Sequence, residues 1–91
     1  MALTRMDLAS LQAYEAALET FISNVKKRCS DMHSGISNAN VYMKDPTSQT
    51  ILTKSTTAVQ DIEGCLPAAQ RLLERVREAI CILTQTVNMG L

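Results

Sequence analysis

At 91 residues the chain is one small domain, and nine basic against nine acidic residues leave it without net charge. That removes the electrostatic reason to seek DNA, RNA or an anionic membrane. Apolar residues make up 46% of the chain and aromatics only 3%, with three Gly, two Pro and no Trp, a mix that favours helices and offers too few turn residues for a β protein.

From the N-terminus onward, residues 1–11 lack the apolar segment of a cleavable signal, and no apolar run approaches the ~18–20 residues of a membrane helix. The expectation is synthesis in the cytoplasm, no membrane span, and, if the protein is exported, a route that reads no Sec-type signal.

The first long element repeats apolar residues at steps of three and four. With Leu8 as heptad position a, the a row is Leu8, Glu15, Ile22, Cys29 and Ile36, and the d row is Leu11, Leu18, Val25, Met32 and Ala39. A repeat over more than four heptads predicts a coiled-coil seam. Glu15 interrupts it and is expected to reach solvent or pair with Arg75 or Arg77. The run Lys26-Lys27-Arg28 reads as a solvated helix face, with a contact patch as the alternative. His33, the single histidine, falls at position e as an ordinary surface residue. Gly35 is expected to loosen the helix near its end.

The break is Asn40-Val41-Tyr42-Met43-Lys44-Asp45-Pro46. Asp45 can accept hydrogen bonds from the first free N–H groups of a following helix, and Pro46 suits the first helical position because it lacks an N–H that would go unpaired. This predicts helix one over about 4–43, a turn at about 44–46 and helix two over about 46–88, one domain spanning 1–91.

The second element has Leu52, Val59, Leu66, Leu73, Ile80 and Val87 at a, and Ser55, Ile62, Ala69, Val76 and Leu83 at d. Paired antiparallel, seam residues face each other when their numbers add to 91, which equals the chain length. Leu8 then meets Leu83, Leu18 meets Leu73, Val25 meets Leu66, Cys29 meets Ile62 and Met32 meets Val59. The fold centre implied by this register coincides with the turn implied by Asp45-Pro46, and agreement between independent signals is what a well-specified fold provides. Pro67, after Gly64, removes one backbone hydrogen bond at ~3 kcal/mol in a regular helix. The seam stays in phase across it, so a kink is expected, with a hinge as the functional alternative.

The fold class is therefore all-α, an antiparallel two-helix, coiled-coil-like hairpin. Its two flanks differ. The e rows (Gln12, Glu19, Lys26, His33, Asn40 and Thr56, Glu63, Gln70, Arg77, Thr84) are polar, with Lys26–Glu63 and Glu19–Arg77 as candidate pairs. The g rows carry Tyr14, Phe21, Arg28 and Gly35 on one helix and Ala58, Cys65, Leu72 and Ala79 on the other, widened at c by Ala17, Ala68 and Ile82. A chain this short buries only ~60–65% of its surface, and two helices cannot enclose a g row. Tyr14, Phe21, Cys65, Leu72 and Ala79 are therefore the expected partner interface, completing a four-helix bundle.

No catalytic, cofactor or metal site can be assembled. One histidine without a second imidazole supports neither a zinc site nor a histidine-dependent triad. Glu15 has no paired carboxylate, there is no phosphate-binding Gly-rich loop, and three cysteines at no metal spacing read as small core residues that form no disulfide within the chain.

A hairpin of this length, without a signal peptide and with its turn near the middle, resembles the small WXG-type substrates of type VII secretion systems. Tyr42-Met43-Lys44-Asp45 stands where the family has Trp-x-Gly, with Tyr42 or Met43 in the aromatic's place and Asp45 in the place where some relatives carry an acidic residue. Val87-Asn88-Met89-Gly90-Leu91 lacks the family's Tyr-x-x-x-Asp/Glu export signal. The resemblance implies a subunit, homodimeric or heterodimeric, that pairs with a protein carrying the signal, as the hairpin partners of secreted toxins do. The cysteines count mildly against a secreted destination. The alternatives are a homodimeric coiled-coil adaptor with no export role and a polymerising type III needle-like subunit.

Overall fold

The computed structural model describes residues 5–89, with side chains from residue 7 onward. The expected helix start at residue 4, and the last two residues of the 87–91 stretch, lie outside them. All regular structure among the described residues is helical: α1 spans Arg5–Tyr42, α2 Pro46–Glu63 and α3 Leu66–Asn88. The chain divides into two compact units. A terminal unit joins residues 1–22 to residues 67–91, and a turn unit comprises residues 23–66. Helix α1 runs through both.

The turn unit is an antiparallel hairpin built around Asp45. That residue is extended (φ −69, ψ 156), and its carboxylate accepts from the Ser48 backbone N–H at 3.0 Å and from the Ser48 hydroxyl at 2.6 Å, with Pro46 at the start of α2. The cap therefore works as the Asp-Pro pair predicts. Across the turn, the Gln49 side-chain amide donates to the Met43 carbonyl at 2.6 Å and to Asn40 Oδ1 at 2.9 Å. The Met43 N–H still donates to Ala39 at 2.9 Å, so α1 uses its last available bonds before the chain reverses.

One expectation about continuity needs correction. Helix two is interrupted, not merely kinked. Helix α2 stops at Glu63, and Gly64-Cys65 form a tight turn in which the Cys65 N–H donates back to Ile62 at 3.0 Å before α3 begins at Leu66. Pro67 has no N–H with which to reach the Glu63 carbonyl, so the ladder cannot pass this point. Gly35, by contrast, does not break α1, which continues through it to Tyr42.

The buried apolar residues are Leu18, Ile22, Leu73, Val76 and Leu83 in the terminal unit, and Cys29 and Val59 in the turn unit. All seven occupy a or d positions of the heptad. Two other seam residues, both at d, are exposed instead: Met32 at 50% and Ile62 at 52%. Beside them His33 and Glu63, both partly exposed, pair with Nε2 and Oε1 2.8 Å apart. The shift is local, since one heptad beyond Met32 the d residue Ala39 is half-buried again and the e residue Asn40 is exposed.

Candidate partner interface

The terminal unit has two contrasting sides. On the e side, Arg77 Nε donates to Glu15 Oε2 at 3.2 Å and its Nη2 to Glu19 Oε1 at 2.7 Å. Glu15 thus leaves the seam for solvent by pairing with Arg77, one of the two arginines expected for it, and the Glu19–Arg77 pair forms. The guanidinium's pKa is raised further by the Glu19 hydrogen bond first, offset in part by desolvation and helped by Glu15. Gln12 and Gln70 on the same side are exposed.

On the g side the large side chains are apolar. Tyr14 and Phe21, seven residues apart on α1 and hence about 10 Å along its axis, are 46% and 56% exposed. On α3, Leu72 is 40% and Ile82 63% exposed, and Ala79 is half-buried between them. The outward parts of the two aromatics alone offer roughly 200 Å² of largely apolar surface, since such side chains present 150–250 Å² each. Cys65, the remaining residue of the expected interface, is exposed but belongs to the turn unit, where its thiol donates to the Asp61 carbonyl at 3.6 Å.

No protein-family model, curated protein or solved structure matches this chain. The functional reading therefore rests on its own residues.

In the turn unit, the residues standing at the WXG position are split by environment. Tyr42 is 87% exposed at the end of α1, and Met43 is much less so. Asp45 and Pro46 are occupied in starting α2, and the hydrogen bonds from Ser48 hold the Asp45 carboxyl below its ordinary pKa. Glu63 takes His33 as its partner in place of Lys26. The three cysteines are free thiols, Cys29 buried and the other two exposed. Burial, and then the negative charge of Glu63, push the Cys29 thiol's pKa up, which makes it less nucleophilic.

Two open depressions mark the surface. One, in the turn unit, is lined by Ile36, Ser37, Asn40, Gln49, Leu52, Thr53 and Thr56; the other, on α3, by Ala68, Arg71, Leu72 and Arg75. Among the described residues no group of three or more His, Cys, Asp or Glu is placed to hold a metal ion, and no helix is long and apolar enough to cross a membrane. The sequence reading missed Met32 and Ile62 as surface residues, and Arg71 and Arg75 as the rim of Leu72. Nothing in the heptad pattern sets the first pair apart, since both stand at d. The second was legible as i, i+4 spacing around an apolar g residue.

Proposed function

We propose that this chain is a non-catalytic binding module whose g-side face packs against another helical protein to complete a four-helix bundle, in the manner of a WXG-like partner in type VII export of a toxin or another substrate. The observation that carries the reading is the asymmetry of the terminal unit: Tyr14, Phe21, Leu72 and Ile82 stand in solvent on one side, while the other is closed by the Arg77 ion pairs. Burying a Phe or Leu side chain is worth ~1.5–3 kcal/mol, and aromatic anchors tend to dominate interfaces. The exported destination is supported only by the resemblance of the hairpin and its Tyr42-Met43-Lys44-Asp45 turn to the WXG-type proteins.

The test compares charge on the two sides. Phe21→Glu and Leu72→Glu should abolish assembly while circular dichroism reports unchanged helix content; Gln12→Glu and Gln70→Glu should change neither. Assembly mass is measured for the chain alone and co-produced with the products of neighbouring genes. A heterodimer lost in the first pair of variants supports the proposal. A homodimer through this face points to the adaptor reading, a filament to the needle-like one, and variants that keep their partner overturn the interface.

A further inference from the structure

We infer that the outer face of α3 pairs with the same face of a second copy of this chain, antiparallel, about a two-fold axis between Glu74 and Arg75. This contact lies beside the partner face proposed above and does not depend on it.

The outer face consists of heptad positions b, f and c, opposite the a and d rows, and from Pro67 to Ile82 every residue at these positions is exposed. Its centre carries four charges in the order Arg71, Glu74, Arg75, Glu78. Each arginine has a glutamate three residues on, yet none of the four forms an ion pair among the described residues. Pairs along a helix are better with the acid first, and here the base comes first both times. The charges therefore stay available to another molecule.

Their order is its own complement. Antiparallel pairing layers a against d across the hairpin seam, and the same rule layers b against c and f against f across the outer face. A two-fold axis between Glu74 and Arg75 then sets Arg71 against Glu78 of the second copy, and Glu74 against Arg75 of the second copy. Symmetry repeats each pair, which makes four cross pairs. The ends match as well: the axis sets Pro67 against Ile82 of the second copy and Ala68 against Cys81 of the second copy. Ile82 is 63% exposed, so these ends have apolar area to cover. The open depression lined by Ala68, Arg71, Leu72 and Arg75 then lies across from Glu74, Glu78 and Cys81 of the second copy, and carboxylates meet the guanidinium groups at its rim. A two-fold contact requires a surface that complements itself. This one does so in the antiparallel direction only, because parallel pairing in register sets each charge against its like. The contact runs about 22 Å along the helix. Tyr14, Phe21 and Leu72 stay outside it, and only Ala68 and Ile82 are taken from the edge of the partner face.

Exposed ion pairs each contribute little, so the dimer should be weak, populated at high protein concentration and low salt. The test is sedimentation equilibrium of the full chain over a wide concentration range at low and high NaCl, with helix content followed by circular dichroism. Arg71→Glu/Arg75→Glu makes the four central charges acidic, and Glu74→Arg/Glu78→Arg makes them basic. Each variant alone should self-associate at least roughly tenfold more weakly than the parent chain. An equimolar mixture of the two should dimerise again, and raised salt should weaken both this mixture and the parent dimer. Register is read separately: in a Cys65→Ser background, Ala68→Cys should be joined to Cys81 of the second copy by a short bismaleimide, a link the distance within one chain forbids. A chain that stays monomeric at every concentration overturns the proposal. So does a dimer indifferent to salt and to both charge variants, a mixture that fails to dimerise, or an absence of the cross-link. Phe21→Glu should leave this dimer intact. A dimer lost in Phe21→Glu runs through the partner face instead, which overturns this contact and leaves the partner face standing with a second copy as its occupant.

Discussion

The two units are built from one heptad pattern and solve their interiors differently. The terminal unit buries five apolar residues, Leu18, Ile22, Leu73, Val76 and Leu83, and keeps its charges on the flank; the turn unit buries only Cys29 and Val59 and pairs the partly exposed His33 with Glu63. Helix α2 adds to the contrast. It is rich in Thr, and the hydroxyls of Thr50, Thr53, Thr56 and Thr57 each donate to the carbonyl four residues back, which satisfies them but marks residues of modest helix propensity. In the terminal unit hydrophobic burial supplies the cohesion, whereas the turn unit leans on its cap, its side-chain hydrogen bonds and one polar pair.

The sharpest way to break that comparison is to remove the most enclosed side chain of the terminal unit. Leu83 is 2% exposed, and Leu83→Ala should cost roughly 2–5 kcal/mol in urea unfolding, the usual range for a packed core leucine. A loss below about 1 kcal/mol would mean that the terminal unit is no better packed than the turn unit. Next comes the reactivity of the turn unit's thiols. Cys29 is buried and its pKa raised, while Cys65 is exposed, so iodoacetamide should label Cys65 at least tenfold faster by mass spectrometry of the native protein. Equal rates would show that the turn unit's small core opens readily.

A smaller effect concerns the cap. Asp45 has a depressed pKa because Ser48 hydrogen-bonds its ionised form. A carboxylate of this kind contributes stability above its unfolded pKa and loses it as pH falls through the folded value. Thermal unfolding should therefore show a cap contribution present at neutral pH and fading as pH drops below about 4, the ordinary range for an aspartate. Asp45→Asn keeps an effective cap and should flatten that dependence; Asp45→Ala should lower Tm by a few degrees at neutral pH. An unaltered acid profile in Asp45→Asn would remove the cap from the account of the turn unit.

Much of this architecture was written in local signals. Asp45-Pro46 located the start of α2 because capping chemistry is short-range, and the a and d rows identified all seven buried apolar residues. The Glu19–Arg77 pair followed from facing the e rows. What escaped depends on geometry. The interruption at Gly64-Cys65 was underestimated because the heptad resumes in phase at Leu66, and phase says nothing about whether the backbone ladder is intact. Met32 and Ile62 were placed in the seam because both stand at d, and the heptad does not register how the neighbouring His33–Glu63 pair is seated. The interface remains a reading of exposure and chemistry, since a g row carries no information about what covers it.

Ile62 yields the smallest predicted effect and the one that discriminates best between the two seams. If the strict heptad ruled the turn unit, Ile62 would face Cys29, and Ile62→Ala would empty a core site at roughly 2–5 kcal/mol. With Ile62 52% exposed, the substitution removes side-chain atoms that are already half in water. Alanine also has the higher helix propensity, which offsets part of what is lost. The expected change is therefore within about 0.5 kcal/mol of zero, as for most surface substitutions, and Met32→Ala should behave alike because Met32 is 50% exposed. Both are measured by urea unfolding beside Leu83→Ala under identical conditions. A cost near that of Leu83→Ala at either position would restore the strict heptad to the turn unit. Near-zero costs at both would establish that the two units, though cut from one repeat, are held together by different means.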